Sequence, residues 1–211
     1  MTAADRFGLS RRRQRLARDA SGRVLEIGAG TGLEFRHYPA AVCIVAIEPD
    51  VAMIERAKTR AAAASAAVTL VVADAAALPF RDGTFDAAIS ALSFCTIPQP
   101  ERAASEIRRV LSDSGTARLL EHVRATHQPL AAIRSALTPL WRRVAGGCHL
   151  DRRTADMIRR AGFDVVVERA AFDGSVVELI ARPSNALQAE RSRAGRSGSP
   201  QRAFSNAVQH E

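Results

Sequence analysis

The sequence predicts a doubly wound α/β fold with a mostly parallel sheet and helices on both faces. Short apolar, β-branched segments alternate along the chain with segments whose apolar residues recur at helical spacing. This alternation indicates parallel strands joined by helical crossovers. The strand segments are continuous apolar runs, as expected for strands that are covered on both faces. The length of 211 residues and the hydrophobic content of 47% suit one such domain.

The elements predicted for the domain begin at residue 23. Strands are expected at 23–27, 42–47, 68–72, 85–92 and 115–123, and helical segments at 33–38, 51–64 and 100–111. A helix over 130–144 has an apolar face that either packs on the domain or roofs a pocket, and another helix, over 154–161, ends at Gly162. The gap between strands at 163–169 and 176–181 is too short for a helix, so these strands should form an antiparallel hairpin.

The net charge of +8 belongs largely to the two ends of the chain. Residues 1–22 carry six arginines and two aspartates, residues 184–211 four arginines and two glutamates, and residues 23–183 twenty basic and eighteen acidic residues. This distribution argues against nucleic-acid binding by the fold itself. The basic segment 1–22 is expected to be a solvated helix leading into the domain at 23–183, with contact to an anionic membrane or phosphate as the alternative. The tail at 184–211 is expected to be disordered, and nothing indicates an oligomeric state.

Cysteine usage gives no sign of a metal or redox site. Cys43, Cys95 and Cys148 are far apart and form no CxxC pair. Neighbouring Cys148 and His149 should point apart, so neither a metal site nor a nucleophilic pair is predicted. Cys95 is expected to be a small apolar wall residue. Without a signal peptide or a run of about 18 apolar residues, a cytoplasmic location is expected.

A glycine loop follows the first strand, in the segment Glu26-Ile27-Gly28-Ala29-Gly30-Thr31-Gly32. Glycines allow a sharp turn and a close approach of the backbone to a ligand. In open parallel sheets, ligands bind outside the carboxyl ends of the strands. The acid before the loop distinguishes this segment from the GxGxxG loop of dinucleotide enzymes, because Glu26 would repel a phosphate and attract an ammonium group.

Two further carboxylates end the next two strands. Glu48 can accept hydrogen bonds from both hydroxyls of a ribose, and Asp74 can accept one from the amino group of adenine. Taken singly, Glu48 could be a surface acid before a helix that begins near Pro49 and Asp50, and Asp74 could be a turn residue. Together with Glu26 they favour a nucleoside that carries an ammonium group over a nucleotide that carries phosphates.

These motifs resemble those of the class I S-adenosylmethionine-dependent methyltransferases. The resemblance runs from about residue 23 to 181 and rests on residues 25–32, 47–50, 73–74, 78–80, 85–86 and 109–111. It implies a Rossmann-like, seven-stranded sheet whose last strand is antiparallel, and S-adenosylmethionine as the cofactor. Residues 112–115, Ser-Asp-Ser-Gly, replace the family's usual Pro-Gly sequence and are expected to form a turn before the fifth strand.

The resemblance also implies a role for each matched position. The residues at the methionine part would be Glu26, Gly28, Ala29, Gly30, Thr31 and Gly32. Glu48, followed by Pro49, would bind the ribose, and Asp74 with Ala75 would lie at the adenine. Ser90, with the residues up to position 93, would border the methyl group.

The substrate side resembles a narrower branch. Residues 94–97, 120–124, 139–144 and 146–152 are similar to those of small-molecule thiol S-methyltransferases, and phospholipid and quinone methyltransferases look similar over much of this region. The resemblance implies methyl transfer to a small-molecule acceptor, with a thiol as the first candidate. Animal members carry an amino-terminal membrane anchor. No such anchor is expected here, so membrane attachment is not carried over. His122 and His149 are candidate catalytic residues or substrate contacts, with core or capping roles as the alternative.

Other functions fit parts of the pattern. One is a non-catalytic protein that binds an adenosyl ligand on the same fold. An NAD-dependent oxidoreductase is opposed by Glu26 and the terminal hairpin, and a nucleic-acid methyltransferase by the nearly neutral domain. The sequence shows no evident side-chain general base, and a thiol needs none because it is already partly ionised at neutral pH.

Overall fold

The computed structural model describes residues 9–123, 149, 152–171 and 174–184. The strands are β1 (Arg23–Ile27), β2 (Cys43–Glu48), β3 (Ala67–Val72), β4 (Phe85–Ala91), β5 (Leu111–His122), β6 (Phe163–Ala171) and β7 (Val176–Pro183). The helices are α1 (Leu9–Arg18), α2 (Val51–Ala62), α3 (Pro100–Val110) and α4 (Thr154–Arg160), with a short 3-10 helix at Phe35–His37. Most predicted elements are therefore confirmed to within a few residues, although the helical segment predicted at 33–38 is only this 3-10 turn.

The seven strands form one sheet in the order β3-β2-β1-β4-β5-β7-β6. β1 pairs in parallel with β2 and with β4, and β7 pairs antiparallel with both β5 and β6. The predicted mostly parallel sheet and its terminal hairpin are confirmed. Because β2 and β4 lie on opposite sides of β1, the sheet reverses its strand order there, and such switch points are where open α/β sheets bind ligands.

Two apolar layers cover the sheet. On one face, α3 and α4 contribute buried side chains such as Ile107 and Ile158. On the other, α1, α2 and the 3-10 helix contribute Leu16, Ala57 and Phe35. The predicted helices on both faces are confirmed, and they explain why the strands are apolar without alternation.

α1 is a helix, as predicted, but its interpretation as a solvated lead-in is wrong. Leu16 and Ala17 are buried against the sheet. Arg12 and Arg15 contact the buried Glu178 carboxylate of β7 at 3.4 and 3.1 Å. α1 therefore packs on the domain, and these paired arginines do not favour the alternative of membrane or phosphate contact through this helix.

The turn predicted over residues 112–115 lies inside β5, which begins four residues earlier than predicted. β5 begins at Leu111, which pairs with Phe85, and the next paired residue is Thr116, opposite Ala87. Four residues of β5 thus lie opposite Asp86 of β4, which is a bulge-like irregularity. The buried apolar pair of Leu111 and Phe85 anchors the start of the strand. The four residues after it fold back sharply, since a Cβ added to Gly115 would lie 3.0 Å from Ser112 O.

Some predictions lie outside the described residues. These are the helix over 130–144, the residue Cys148, residues 1–8 of the basic segment and the tail from 185 onward. In the part of the chain that the structure describes, no helix combines the length and the apolar character needed to cross a bilayer.

Candidate functional site

A cavity of about 340 Å³ opens at the carboxyl ends of the central strands. Its lining comprises Arg13 of α1 and residues 27–31, 33–34, 47–49, 73–75, 91–93 and 96–98. Parallel pairing of Ile27 with Ile47 and with Ser90 brings the ends of β1, β2 and β4 to one edge. The volume lies in the range of small-molecule sites, so this edge of the sheet is the candidate binding site.

The glycine loop after β1 needs its glycines for two different reasons. Gly28 and Gly30 have φ angles of +65° and +52°, in the left-handed region. A Cβ added to Gly28 would lie 2.4 Å from Ser93 Oγ, whereas one added to Gly30 would meet nothing within 4 Å. Gly28 thus allows close packing of two loops, while Gly30 leaves open space beside its backbone for a ligand.

Glu48 is fixed in place at the end of β2. Its Oε2 accepts a hydrogen bond from Gly30 N at 3.0 Å, and its Oε1 accepts one from Asp50 N at 3.2 Å. The residue that caps α2 is Asp50, whose Oδ1 accepts from Ala52 N at 2.8 Å. The helix cap is therefore Asp50 and not Glu48, and each Glu48 oxygen keeps acceptor capacity toward the cavity.

Asp74 combines both roles considered for it. Its Oδ1 accepts a hydrogen bond from Ala76 N at 2.8 Å, which is the geometry of a turn residue. Its side chain is exposed and lines the cavity, together with the buried Ala75 and the neighbouring Pro49. A carboxylate held by its own turn can still accept from a ligand through its second oxygen.

Glu26 lies beneath the cavity and does not line it. The residue is 2% exposed, and its Oε2 has no hydrogen-bond partner at standard geometry among the described residues. Burial, and then the nearby Glu34 carboxylate, raise the pKa of Glu26 well above its ordinary value. The Tyr38 hydroxyl and the charge of Arg13 lower it by less. Burial also raises the pKa of Glu34, against the Arg13 guanidinium. The two acids thus form a buried pair beside one cation.

The cluster of Glu26, Glu34 and Arg13 joins three elements at the edge of the cavity. Arg13 of α1 donates a hydrogen bond to Glu34 Oε1 and forms an ion pair with it. Both of these residues line the cavity. This end of the site therefore presents a guanidinium and a carboxylate side by side, with Glu26 as a second acid behind them.

Replacing Glu26 with glutamine is expected to raise the free energy of unfolding of the ligand-free protein at pH 8 by about 1–3 kcal/mol, the typical cost of an unsatisfied buried polar group. Because the folded-state pKa of Glu26 is raised above its ordinary value of 4.5, the folded protein binds more protons than the unfolded chain above pH 4.5. The contribution of Glu26 to stability is therefore full below that pH and is lost as pH rises through the folded-state pKa. Urea unfolding of both proteins between about pH 5 and 8 measures this difference.

Glu106→Gln is the matched control with the opposite sign. The pKa of Glu106 is lowered, first by its hydrogen bond with Arg109. Its contribution is therefore present above its ordinary pKa, and the variant should be less stable than the wild type at pH 8. A Glu26→Gln variant that loses stability at pH 8, or keeps the wild-type pH slope, would contradict the account of Glu26.

The structure brings together most of the predicted cofactor residues, though not all. Those that line the cavity are Gly28, Ala29, Gly30, Thr31, Glu48, Pro49, Asp74 and Ala75. Gly32 lies outside the lining, with a φ of +77° and with Phe35 where a Cβ would be. Ser90 is 2% exposed and turns its hydroxyl to Glu121, so the structure does not place Ser90 at the methyl group. Residues 91–93 occupy that wall of the cavity.

The two candidate histidines lie behind the cavity wall, not in its lining. His122 Nδ1 is 4.0 Å from the Sγ of Cys95. Cys95 is buried but is not among the residues that line the cavity, so the structure does not place it as the predicted wall residue. The backbone amide of His149 donates to Cys95 O at 2.7 Å. Both residues therefore contact the loop after β4, and a direct role on a substrate stays a prediction. In the described ranges no group of three or more His, Cys, Asp or Glu residues is arranged to hold a metal ion.

Sequence reasoning missed the residues that reach the site from distant segments. Arg13 lies in the basic segment, and no motif separates it from its neighbouring arginines. Glu34 follows the glycine loop closely, and its position alone could have marked it. Glu121 was noted only as part of a longer segment, although a carboxylate one residue before a strand end is a signal comparable to Glu48.

Known proteins share this fold and these motifs. A family model described as a methyltransferase domain matches residues 25–119. A phosphatidylethanolamine N-methyltransferase from Cereibacter sphaeroides is 36% identical over 118 residues, which are 55% of this chain and 58% of that protein. A thiol S-methyltransferase from Homo sapiens is 30% identical over 158 residues, which are 71% of this chain and 64% of that protein. The chain spans about three fifths of the length of these curated relatives.

A solved structure supports the same conclusion about the fold. The crystal structure of a SAM-dependent methyltransferase from Methanosarcina mazei aligns with a TM-score of 0.61 at 20% identity, over 77% of this chain and 92% of that one. The family model begins in β1 and ends in β5, so it contains the glycine loop and the acids that end β2 and follow β3. The sheet order, the terminal hairpin and these motifs agree with one another: residues 25–119 match a methyltransferase domain, and the chain has the fold of class I S-adenosylmethionine-dependent methyltransferases and resembles that family.

Proposed function

We propose that this protein transfers a methyl group from S-adenosylmethionine to a small-molecule acceptor, and that the acceptor is a thiol. The observation that carries the proposal is the arrangement of Glu48 and Asp74 around the open space beside Gly30. Two carboxylates at successive strand ends suit the hydroxyls and amino group of a nucleoside. They do not suit a pyrophosphate, which they would repel.

The charged end of the cavity suits an amino-acid group. A methionine moiety carries an ammonium and a carboxylate, and this end of the site presents Glu34 beside Arg13, with Glu26 behind them. A guanidinium is a good partner for a carboxylate, and an acid for an ammonium. The raised pKa of Glu26 follows mainly from burial, so a nearby bound cation would favour its charged form.

The contribution of the protein to methyl transfer is alignment. When bound, S-adenosylmethionine would supply an electrophilic methyl group on a sulfonium. An acceptor thiol, after losing its proton to solvent, would form a carbon–sulfur bond to that methyl, while the methyl–sulfur bond of the sulfonium would break and leave its electron pair on the cofactor sulfur. Glu48, held by Gly30 N and Asp50 N, keeps the nucleoside in register. Such orientation is worth up to roughly 7–11 kcal/mol of the barrier.

The wall formed by the loop after β4 favours a thiol. Its cavity-lining residues are Ala91, Leu92, Ser93, Thr96, Ile97 and Pro98, none of which is a general base at neutral pH. A thiol with a pKa of about 8.5 is partly ionised without a base, whereas an alkylamine with a pKa near 10 needs to lose a proton first. The thiol S-methyltransferase of similar sequence agrees with this choice. The phosphatidylethanolamine N-methyltransferase makes a phospholipid amine the second candidate.

We expect the purified protein to transfer a radiolabelled methyl group from S-adenosylmethionine to alkyl thiols. The screen offers an alkyl thiol, phosphatidylethanolamine vesicles, a demethylated quinone and RNA in parallel, and calorimetry measures cofactor binding separately. Methylation of lipid or quinone alone would overturn the thiol assignment. Binding without turnover on any acceptor would indicate a non-catalytic protein, and the absence of binding would contradict the proposed cofactor.

A further inference from the structure

The loop after β4 forms one wall of the cavity and begins with a left-handed residue. Leu92 has a φ of +60°, and it is the only non-glycine residue with positive φ in the described part of the chain. Its amide donates to Leu120 O of β5 at 2.6 Å. Since residues 91–93 and 96–98 line the cavity, a shift of this loop would change the shape of the site.

Glu121 of β5 lies against the amide side of this loop. Its side chain is fully buried, and its Oε1 accepts from Ser90 Oγ at 2.7 Å and from Ser93 N at 3.2 Å. The backbone amides of Phe94 and Cys95 also face the carboxylate. Successive amides next to a left-handed residue form a concave nest that binds anions. Here the anion in the nest is the side chain of Glu121.

The carbonyl side of the loop is held by residues from another segment. Arg152 donates to Phe94 O and, at 2.8 Å, to Ile97 O. His149 N donates to Cys95 O at 2.7 Å. An arginine stays protonated at every pH of interest. Of these contacts, the one made by Glu121 is therefore the one that a proton can weaken.

We propose that Glu121 is a positioning residue for methyl transfer: as an anion, its carboxylate sets the conformation of residues 92–97 and thereby the wall of the cavity. The effect on activity rests on the proposed function. The hold on the loop is a property of the ligand-free protein, and it can be tested without a substrate.

Protonation of Glu121 removes the negative charge that strengthens the hydrogen bonds from Ser90 Oγ and Ser93 N to Oε1. Burial raises the pKa of Glu121 to about 7, against the hydrogen bonds from Ser90 and from the amides of residues 93–95, which lower it. The loop is therefore expected to be held above neutral pH and to loosen as the pH falls. The effect on the loop therefore runs opposite to the effect on the free energy of unfolding. A buried carboxylate with a raised pKa stabilises the fold at low pH, whereas the hydrogen bonds to the loop are made by the ionised form at higher pH.

Several other charged or titratable groups lie near the loop or the neighbouring strands. His122 Nδ1 and Cys95 Sγ are 4.0 Å apart, and Arg152 is on the carbonyl side. Glu178 pairs with Leu120 in the sheet and contacts α1, so it faces away from Glu121, and Glu26 faces the same side as Glu178. Charged residues of α3 and α4 form ion pairs with other partners: Arg108 with Asp113, Arg109 with Asp82 and Glu106, Arg159 with Asp156 and Glu168.

The direct test is a proton–nitrogen NMR titration of the ligand-free protein between about pH 5.5 and 8.5. The amide resonances of Ser93, Phe94 and Cys95 should shift together with a midpoint near neutral pH, and Glu121→Gln should abolish this transition. Glu178→Gln, a buried acid on the opposite face, is the matched control and should retain it. Because imidazoles titrate in the same range, His122→Asn is a second control, and loss of the transition in that variant would overturn the proposal.

Ser90→Ala keeps the proposal testable if Glu121→Gln does not fold. Among the hydrogen bonds that lower the pKa of Glu121, the one from the Ser90 hydroxyl has the largest effect. Removing it should therefore move the midpoint of the amide titration to higher pH and leave its amplitude in place. A transition that comes from another group would not respond to the loss of this hydroxyl, so an unchanged midpoint would contradict the proposal.

Kinetics then connect the loop to the reaction. At pH 8, Glu121→Gln should lower kcat for an alkyl thiol roughly tenfold to a hundredfold, the range for a small misplacement of reacting groups, while the Kd for S-adenosylmethionine changes less. Glu121→Asp should recover part of the loss, because it restores the anion. If the wild type shows no turnover, the proposed function fails while the NMR result still decides the role of Glu121. Equal kcat in the wild type and in Glu121→Gln would overturn that role in catalysis.

Discussion

Replacing Glu48 with alanine is expected to weaken S-adenosylmethionine binding roughly tenfold to a hundredfold. A hydrogen bond to a charged group contributes about 1.5–3 kcal/mol, and each 1.4 kcal/mol corresponds to about tenfold in affinity. The variant also removes the acceptor for Gly30 N, which is 3.0 Å from Glu48 Oε2. Binding is therefore weakened in two ways: the ligand loses the Glu48 carboxylate, and the glycine loop loses a hydrogen bond that holds it in place. Titration calorimetry with S-adenosylmethionine measures the change.

Glu55→Gln is the control for the loss of one negative charge. Glu55 is exposed on the neighbouring helix α2 and pairs with Lys58 at 2.7 Å, an exposed contact of small energetic value. Its substitution should leave the affinity unchanged. Glu48→Gln should lie between the two, because it keeps one acceptor oxygen and adds a donor. Wild-type affinity in Glu48→Ala would show that the ligand is held elsewhere and would remove the main support for the cofactor.

The sequence was sufficient to predict the fold because local pattern and topology point the same way. Continuous apolar strands alternate with amphipathic helices, and this pattern leaves few arrangements other than a doubly wound sheet. The short gap before β7 predicted the hairpin for a geometric reason. The acids Glu26, Glu48 and Asp74 could be located because each lies at or just beyond the end of a recognisable strand, and the structure brings the lining residues Glu48 and Asp74 to one edge.

The remaining features depend on contacts between residues that are distant in the chain. Arg13 reaches Glu34 only because α1 packs on the sheet, through Leu16 and Ala17. Glu121 contributes to the site because its carboxylate accepts a hydrogen bond from Ser93 N, in the loop after β4. No periodicity or spacing encodes such contacts. The same reason explains why the start of β5 was predicted four residues too late, since Leu111, before the turn at 112–115, already pairs with the distant Phe85.

A glycine-to-alanine pair in the cofactor loop separates packing from ligand access. Gly28→Ala is expected to lower the free energy of unfolding by about 2–5 kcal/mol. About 1–2 kcal/mol of this comes from the left-handed backbone, and about 1–3 kcal/mol from overlap with Ser93, whose Oγ and Cβ would lie 2.4 and 2.6 Å from the new Cβ. Gly30→Ala has only the backbone term, because nothing lies within 4 Å of its Cβ. Urea unfolding of the two variants measures the difference.

In binding measurements, the variant with the smaller loss of stability, Gly30→Ala, is expected to show the direct effect on ligand affinity. The new methyl of Gly30→Ala enters open space in the cavity, so this well-folded variant should lose affinity for S-adenosylmethionine. For Gly28→Ala, the double variant with Ser93→Gly removes both overlapping atoms and leaves Ser93 Cα at 3.9 Å. The two substitutions should therefore destabilise less together than the sum of each alone. Strict additivity would show that the overlap with Ser93 does not explain why position 28 is a glycine, whereas a Gly30→Ala variant that binds as tightly as the wild type would show that the ligand lies away from this loop.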